Sequence, residues 1–210
     1  MKRFALSLAA ALLVLSCRAQ PLASGFAASA ETARPLAAGA KAPTAILPAQ
    51  DGADTDLAKV FARKPTVLIF YRGGWCPYCN RHLAALAESE LDLVKLGYHV
   101  VAISPEPIAK LRATADEHHL RYRLLSDEKA LLSRRFGVAY RISAETGTGY
   151  ASNGITLTHI PDSTDFWLPV PAAFLIDPTG TIKYVYWNAD PSIRVSTDDL
   201  LAAAQKALEP

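Results

Sequence analysis

Phe70-Tyr71-Arg72-Gly73-Gly74-Trp75-Cys76-Pro77-Tyr78-Cys79 is the stretch that decides the fold of this chain. It is entered through Val67-Leu68-Ile69, so residues 67–71 form a continuous apolar, β-prone run. Such a run is typical of a strand covered on both faces in a parallel or mixed sheet. Two glycines then turn the chain, and Pro77 stands in the first turn of a helix, where its missing N–H costs nothing. Cys76 and Cys79 are thereby placed at a helix start. Unpaired N–H groups and the positive dipole end stabilise a thiolate there, and cysteines so placed have pKa values roughly one to five units below the free value of about 8.5.

Working outward, Leu83, Leu86, Ala87, Leu91, Val94 and Leu96 recur at three- and four-residue steps, so the spacing predicts an amphipathic helix over 77–96 that Gly97 ends. Residues 100–103 predict the next buried strand, 108–119 a helix, 122–125 a short strand and 128–136 a helix closed by Gly137. This alternation argues for βαβ units. Residues 138–170 break the rhythm with Thr146-Gly147-Thr148-Gly149, Asn153-Gly154 and Pro161-Asp162, and are read as an insertion with little regular structure. Beyond it, 172–176 and 181–187 form a hairpin across Asp177-Pro178-Thr179-Gly180, and 197–208 a final helix with Ser196 or Thr197 as N-cap. Upstream, Ile46-Leu47-Pro48 and Asp51-Gly52 read as a strand and turn, and 57–61 as a helical turn.

The chain has 210 residues, half of them hydrophobic and a fifth charged, which suits one sizeable core. Its net charge of +2 is spread without a Lys/Arg block, which sets aside nucleic acid and an anionic membrane surface as electrostatic partners. Met1-Lys2-Arg3 and the apolar run 4–15 have the charged start and short hydrophobic core of a secretory signal peptide, too short to span a bilayer. Val14-Leu15-Ser16-Cys17 resembles the lipobox of bacterial lipoproteins; the alternative is ordinary signal cleavage near Ala19 or Ala30. The expected organisation is a signal peptide with a lipobox-like end over 1–17, a flexible Ala/Ser/Pro-rich tether over 18–38, and one domain over 39–210. The protein is expected to be exported, periplasmic or otherwise extracytoplasmic, and held at a membrane by lipid on Cys17. This accounts for the odd count of three cysteines, because the domain then keeps only Cys76 and Cys79, which are too close in sequence to staple a fold.

The pair can cycle between dithiol and disulfide. One thiolate attacks a disulfide or peroxide, and the second cysteine, a turn away, resolves the mixed disulfide or sulfenic acid. Cys76, at the exposed start of the helix, is assigned the attack and Cys79 the resolution. Arg72 can favour the thiolate, and Trp75, Pro77 and Tyr78 line the site. Metal binding is the rival chemistry, because Cys76, Cys79 and His82 have C-x-x-C-x-x-H spacing and His159 could complete a copper or zinc site.

The order of strand, Trp-Cys-x-x-Cys helix start, βαβ, hairpin and final helix resembles the thioredoxin superfamily. Residues 39–43, the 47–52 turn, 70–74, Leu125-Ser126-Asp127, Phe136-Gly137-Val138 and Phe174-Leu175-Ile176-Asp177-Pro178-Thr179-Gly180 resemble its peroxiredoxin-like, alkyl hydroperoxide reductase/thiol-specific antioxidant branch. The resemblance implies an α/β thioredoxin-like fold with a central mixed sheet flanked by helices. It also implies thiol-dependent oxidoreduction without an organic cofactor, with a thiol electron donor and a peroxide or a protein disulfide as oxidant. On this alignment Cys79 takes the peroxidatic position, reversing the roles above, while Cys76 replaces a Thr and Pro171 an Arg that orient and polarise peroxide in the family. Phe70 stands where thioredoxins have a buried acid. Pro171 instead resembles the thioredoxin cis-proline facing the redox pair, and Val170–Pro171 is then a candidate cis peptide; the family favours peroxide, while Cys76 and Pro171 favour disulfide exchange.

Overall fold

The computed structural model describes residues 25–209. The expected signal peptide and the expected lipid attachment at Cys17 lie outside the described residues. In chain order the elements are β1 (Ile46–Pro48), β2 (Asp54–Asp56), α1 (Leu57–Arg63), β3 (Thr66–Phe70), α2 (Pro77–Lys95), β4 (His99–Ser104), α3 (Ile108–Glu117), β5 (Arg123–Ser126), α4 (Leu131–Arg135), β6 (Ala139–Ile142), α5 (Ala144–Ser152), β7 (Phe166–Pro169), β8 (Ala172–Ile176), β9 (Ile182–Trp187) and α6 (Thr197–Ala207).

The central sheet has the order β5-β4-β3-β8-β9. β3 is parallel to β4 and antiparallel to β8; β4–β5 is parallel and β8–β9 antiparallel. Helices cover both faces, as the uninterrupted apolar run of β3 requires. Val67, Ile69 and Tyr71 face a core shared with Leu83, Leu86 and Leu93 of α2 and with Leu200 of α6. Leu68 and Phe70 face the opposite core with Phe61 of α1 and Phe136 just after α4. There Phe70 packs on Phe136 at 5.1 Å and edge-on to Phe174 at 5.9 Å between ring centroids. β3 and β4 are parallel, so both deliver their C-terminal ends to the same sheet edge. That edge carries the Gly73-Gly74 turn.

The structure departs from the sequence reading in three places. Residues 138–170 are not irregular, since β6 and β7 form an antiparallel ribbon and α5 lies between them. Ser143 caps α5 by accepting the Thr146 N–H at 3.2 Å. Gly147, which reads as loop punctuation, is a packing glycine: a Cβ there would enter the Phe166 ring. The described part of the expected tether, residues 25–38, is packed against the domain. Ala30, Ala33 and Leu36 are buried, and the backbone of Ala27 bonds to Ala139 and Arg141 at 2.9 Å each. Finally, no cis peptide occurs among the described residues, so Val170–Pro171 is trans. Pro171 is buried, and its carbonyl accepts the Asn188 N–H at 3.3 Å.

Candidate active site

Cys76 is the N-cap residue of α2, with an extended backbone, Pro77 at N1 and Cys79 inside the first turn. The Cys76 carbonyl accepts the Asn80 N–H at 3.0 Å, which closes that turn. Both cysteines are free thiols, and each is only 1% exposed. The expectation of an exposed Cys76 is therefore corrected: the helix start points into the core that holds Tyr71 and Leu83, and Trp75 packs against that core. The thiols differ sharply. Hydrogen bonding from Cys79, side chain first and backbone after it, lowers the Cys76 pKa to about 6, helped by the charges of Arg72 and Arg194 and opposed by burial. The Cys79 thiol is pushed up, because it holds the shared proton toward Cys76 and because burial and the Cys76 charge both oppose its ionisation.

The glycine turn is fixed from below. Gly73 has φ +150°, and a Cβ there would run into the Trp75 indole and the Glu106 carboxyl. The Gly74 N–H donates to Glu106 Oε2 at 2.7 Å, and Asn80 Nδ2 donates to the Gly74 carbonyl at 2.7 Å. Glu106 is buried beyond the end of β4; burial raises its pKa, with the Gly74 N–H, Lys110 and Ser104 opposing.

Arg72, just past β3, is 8% exposed. Its Nη2 donates to the Tyr150 hydroxyl at 2.5 Å, and its guanidinium lies 4.9 Å from the Trp75 ring centroid. Trp75 and Tyr150 meet edge-on at 5.6 Å. The insertion thus contributes directly to the site through α5. Pro77 and Tyr78 are exposed, and Arg81 lies over the Tyr78 ring at 5.1 Å. Pro171 precedes Ala172, the partner of Phe70, and so comes level with the start of the glycine turn.

The sequence reading missed Glu106, Tyr150 and Arg194. Glu106 had a signal: it follows Ser104-Pro105 at the end of the strand parallel to β3. Arg194 had none. It lies in the loop between β9 and α6, and its Nη2 reaches Cys79 Sγ at 3.6 Å.

The metal alternative is not formed. Among the described residues no three His, Cys, Asp or Glu side chains are grouped to hold an ion. His82 keeps a buried, unpartnered Nε2, and burial, followed by the Arg194 charge, lowers its pKa to about 4. His159 is stacked on Phe166 at 4.1 Å between centroids.

The AhpC/TSA family profile matches residues 38–185. The chain belongs to the AhpC/TSA family. This AhpC/TSA protein is 30% identical over 152 residues to "Peroxiredoxin Bcp" of Escherichia coli K12, a match covering 72% of this chain and 86% of that one. It is 29% identical over 150 residues to "Peroxiredoxin Q, chloroplastic" of Triticum aestivum, covering 71% of this chain and 58% of the wheat protein. Among solved structures, the peroxidoxin BcpB of Mycobacterium tuberculosis superposes with a TM-score of 0.64 at 21% identity, covering 83% of this chain and 99% of that one. The fold is the thioredoxin-like one that the sequence implied, and the chain is a peroxiredoxin-like member of that superfamily.

Proposed function

We propose that this thiol-dependent oxidoreductase reduces peroxides, with Cys76 and Cys79 as the redox pair and an external thiol as electron donor. The observation that carries the reading is the buried Cys76–Cys79 pair at the start of α2, with Arg194 on the Cys79 sulfur, the Cys76 thiol lowered and the Cys79 thiol raised. The names of the AhpC/TSA relatives support a peroxide as oxidant. The Cys76 thiolate attacks the terminal oxygen of ROOH; the O–O bond breaks, Cys76 becomes a sulfenic acid, and RO⁻ leaves. Cys79 gives its proton to RO⁻, and its own thiolate then attacks the sulfenic sulfur. The S–O bond breaks, hydroxide leaves to the solvent, where the buffer neutralises it, and the Cys76–Cys79 disulfide is later reduced by two equivalents of donor thiol. The disulfide-exchange alternative rested on Cys76 in the family's Thr position and on a cis Pro171, and the second of these is not formed. The proposal extends to export, on the pattern of residues 1–17 alone, with Cys17 as the lipid attachment.

The deciding experiment mixes the reduced full chain with hydrogen peroxide, an organic hydroperoxide and a model disulfide under stopped flow. Oxidation should be much faster with a peroxide than with the disulfide, and inertness to both peroxides overturns the reading.

A pH profile gives a further expectation. Below the Cys76 pKa the peroxide rate should rise about tenfold per pH unit with the thiolate fraction, then level off by neutral pH, because a lowered pKa leaves the thiol ionised there. A rate still climbing at about pH 8.5, the free-thiol value, contradicts the lowered Cys76.

A further inference from the structure

The loop between β9 and α6 is more ordered than its length suggests. Asp190 organises it: its Oδ1 accepts the Ser192 N–H at 2.8 Å and the Ser192 hydroxyl at 2.7 Å, and its carbonyl accepts the Ile193 N–H at 3.2 Å. Val195 is buried in the core that contains both cysteines, and Ser196 caps α6 by accepting the Asp199 N–H at 3.0 Å. Upstream, the Asn188 N–H is tied to the Pro171 carbonyl. Arg194 is therefore held on both sides. Its Nη1 donates to the Ile193 carbonyl at 3.0 Å and its Nη2 to Cys79 Sγ at 3.6 Å, which leaves the planar fork aimed at the second cysteine.

The groups facing Cys79 are Cys76 at the start of its own helix, Tyr71 and the backbone of Arg72 just past β3, and Arg194 from this loop, with His82 near Arg194. Tyr71 is buried with its hydroxyl unpartnered. Arg72 is already engaged by Tyr150 and Trp75. Arg194 is the cationic side chain that touches the Cys79 sulfur.

The geometry points to Arg194 as a catalytic residue of the second half of the cycle: it stabilises the Cys79 thiolate that attacks oxidised Cys76 and closes the disulfide. This rests on the Cys76–Cys79 cycle proposed above. While Cys76 is a thiolate, its charge keeps the proton on Cys79. Once Cys76 is a neutral sulfenic acid that opposition disappears, and the nearby guanidinium favours ionised Cys79. The balance is that of the cycle above: the S–S bond forms, the S–O bond of Cys76 breaks, and hydroxide leaves.

Two measurements on the full chain test it. In Arg194→Gln, rapid-quench trapping of sulfenic acid with dimedone should show the Cys76 intermediate surviving about tenfold longer, with the peroxide step changed much less, and Arg194→Lys should recover part of the closure rate. Independently, ultraviolet thiolate absorbance in a Cys76→Ser background should place the Cys79 pKa about one unit higher when Arg194→Gln is added than when the arginine is kept. An unmoved Cys79 titration overturns the role, whichever oxidant the protein prefers. Should wild type ignore peroxides while this titration still shifts, the peroxide reading falls and the Arg194–Cys79 coupling stands. A slowed peroxide step with unchanged closure assigns Arg194 to the first half instead and also overturns the proposal.

Discussion

Cys76→Ser is expected to lower peroxide turnover by about 10³-fold or more, to the level of the free reductant, because removing a nucleophile leaves only binding and polarisation. The partner variant should behave differently. Cys79→Ser should consume about one equivalent of peroxide per chain, and then stop at a Cys76 sulfenic acid with nothing one turn away to close the disulfide. Its first step should be slower than wild type, since the serine hydroxyl is a poorer proton donor to the leaving oxygen than a thiol. Mass spectrometry after one equivalent of peroxide distinguishes the roles: an added oxygen or dimedone adduct on Cys76 is the expected product. If Cys76→Ser keeps the single oxidation and Cys79→Ser loses it, attack belongs to Cys79, the role that the family alignment gives it. The asymmetry has a structural origin. Cys76 is the N-cap, beside the charges of Arg72 and Arg194, whereas Cys79 lies inside the first turn, where burial and the Cys76 charge oppose its ionisation.

What the sequence revealed and what it hid follow from the range of the interactions. Residues 67–71 and 100–103 could be read as buried strands because both faces of each are covered, and that leaves no polar alternation in the sequence. The α2 helix was legible from its apolar spacing and from Gly97, which has φ +89° and donates its N–H to the Val94 carbonyl at 2.9 Å. The cysteine pair was legible because its chemistry depends on a local helix start. The rest of the site is assembled across long sequence separations. Tyr150 reaches Arg72 from 78 positions away, and Arg194 reaches Cys79 from 115. No period or motif within either segment encodes those meetings. Residues 144–152 hid a helix for a related reason: the close approach of Phe166 requires the glycine that lowers helix propensity locally.

The two arginines show how a site can be made from unrelated segments. Arg72 comes from the strand end and is clasped by the insertion; Arg194 comes from the last loop and is pinned by Val195. Both charges act on Cys76, while only Arg194 donates its side chain to Cys79. One cation thus serves mainly the first thiolate, and the other is placed where the second must form. The glycine turn that follows Arg72 is held at Gly74, whose N–H donates to Glu106 and whose carbonyl accepts from Asn80.

The largest expected loss of stability comes from a glycine far from the cysteines. Gly137 has φ +72°, and a Cβ there would enter the backbone carbonyl of Arg34. Backbone cannot move aside as a flexible side chain can, and the two strands of chain are tied by Arg34 N–H to the Gly137 carbonyl at 3.2 Å and Leu36 N–H to the Phe136 carbonyl at 3.0 Å. Gly137→Ala should therefore cost about 3 kcal/mol in denaturant unfolding, and lower the Tm by roughly 6–12 °C. Gly154 supplies the internal control. Its φ of +74° is nearly the same, yet nothing lies within 4 Å of its would-be Cβ. Gly154→Ala should cost only about 1 kcal/mol, the backbone penalty alone. The difference between the two variants measures how firmly residues 25–38 are seated on the domain. Equal losses would mean that Arg34 and Pro35 yield freely, and that this segment behaves as the tether its composition suggests.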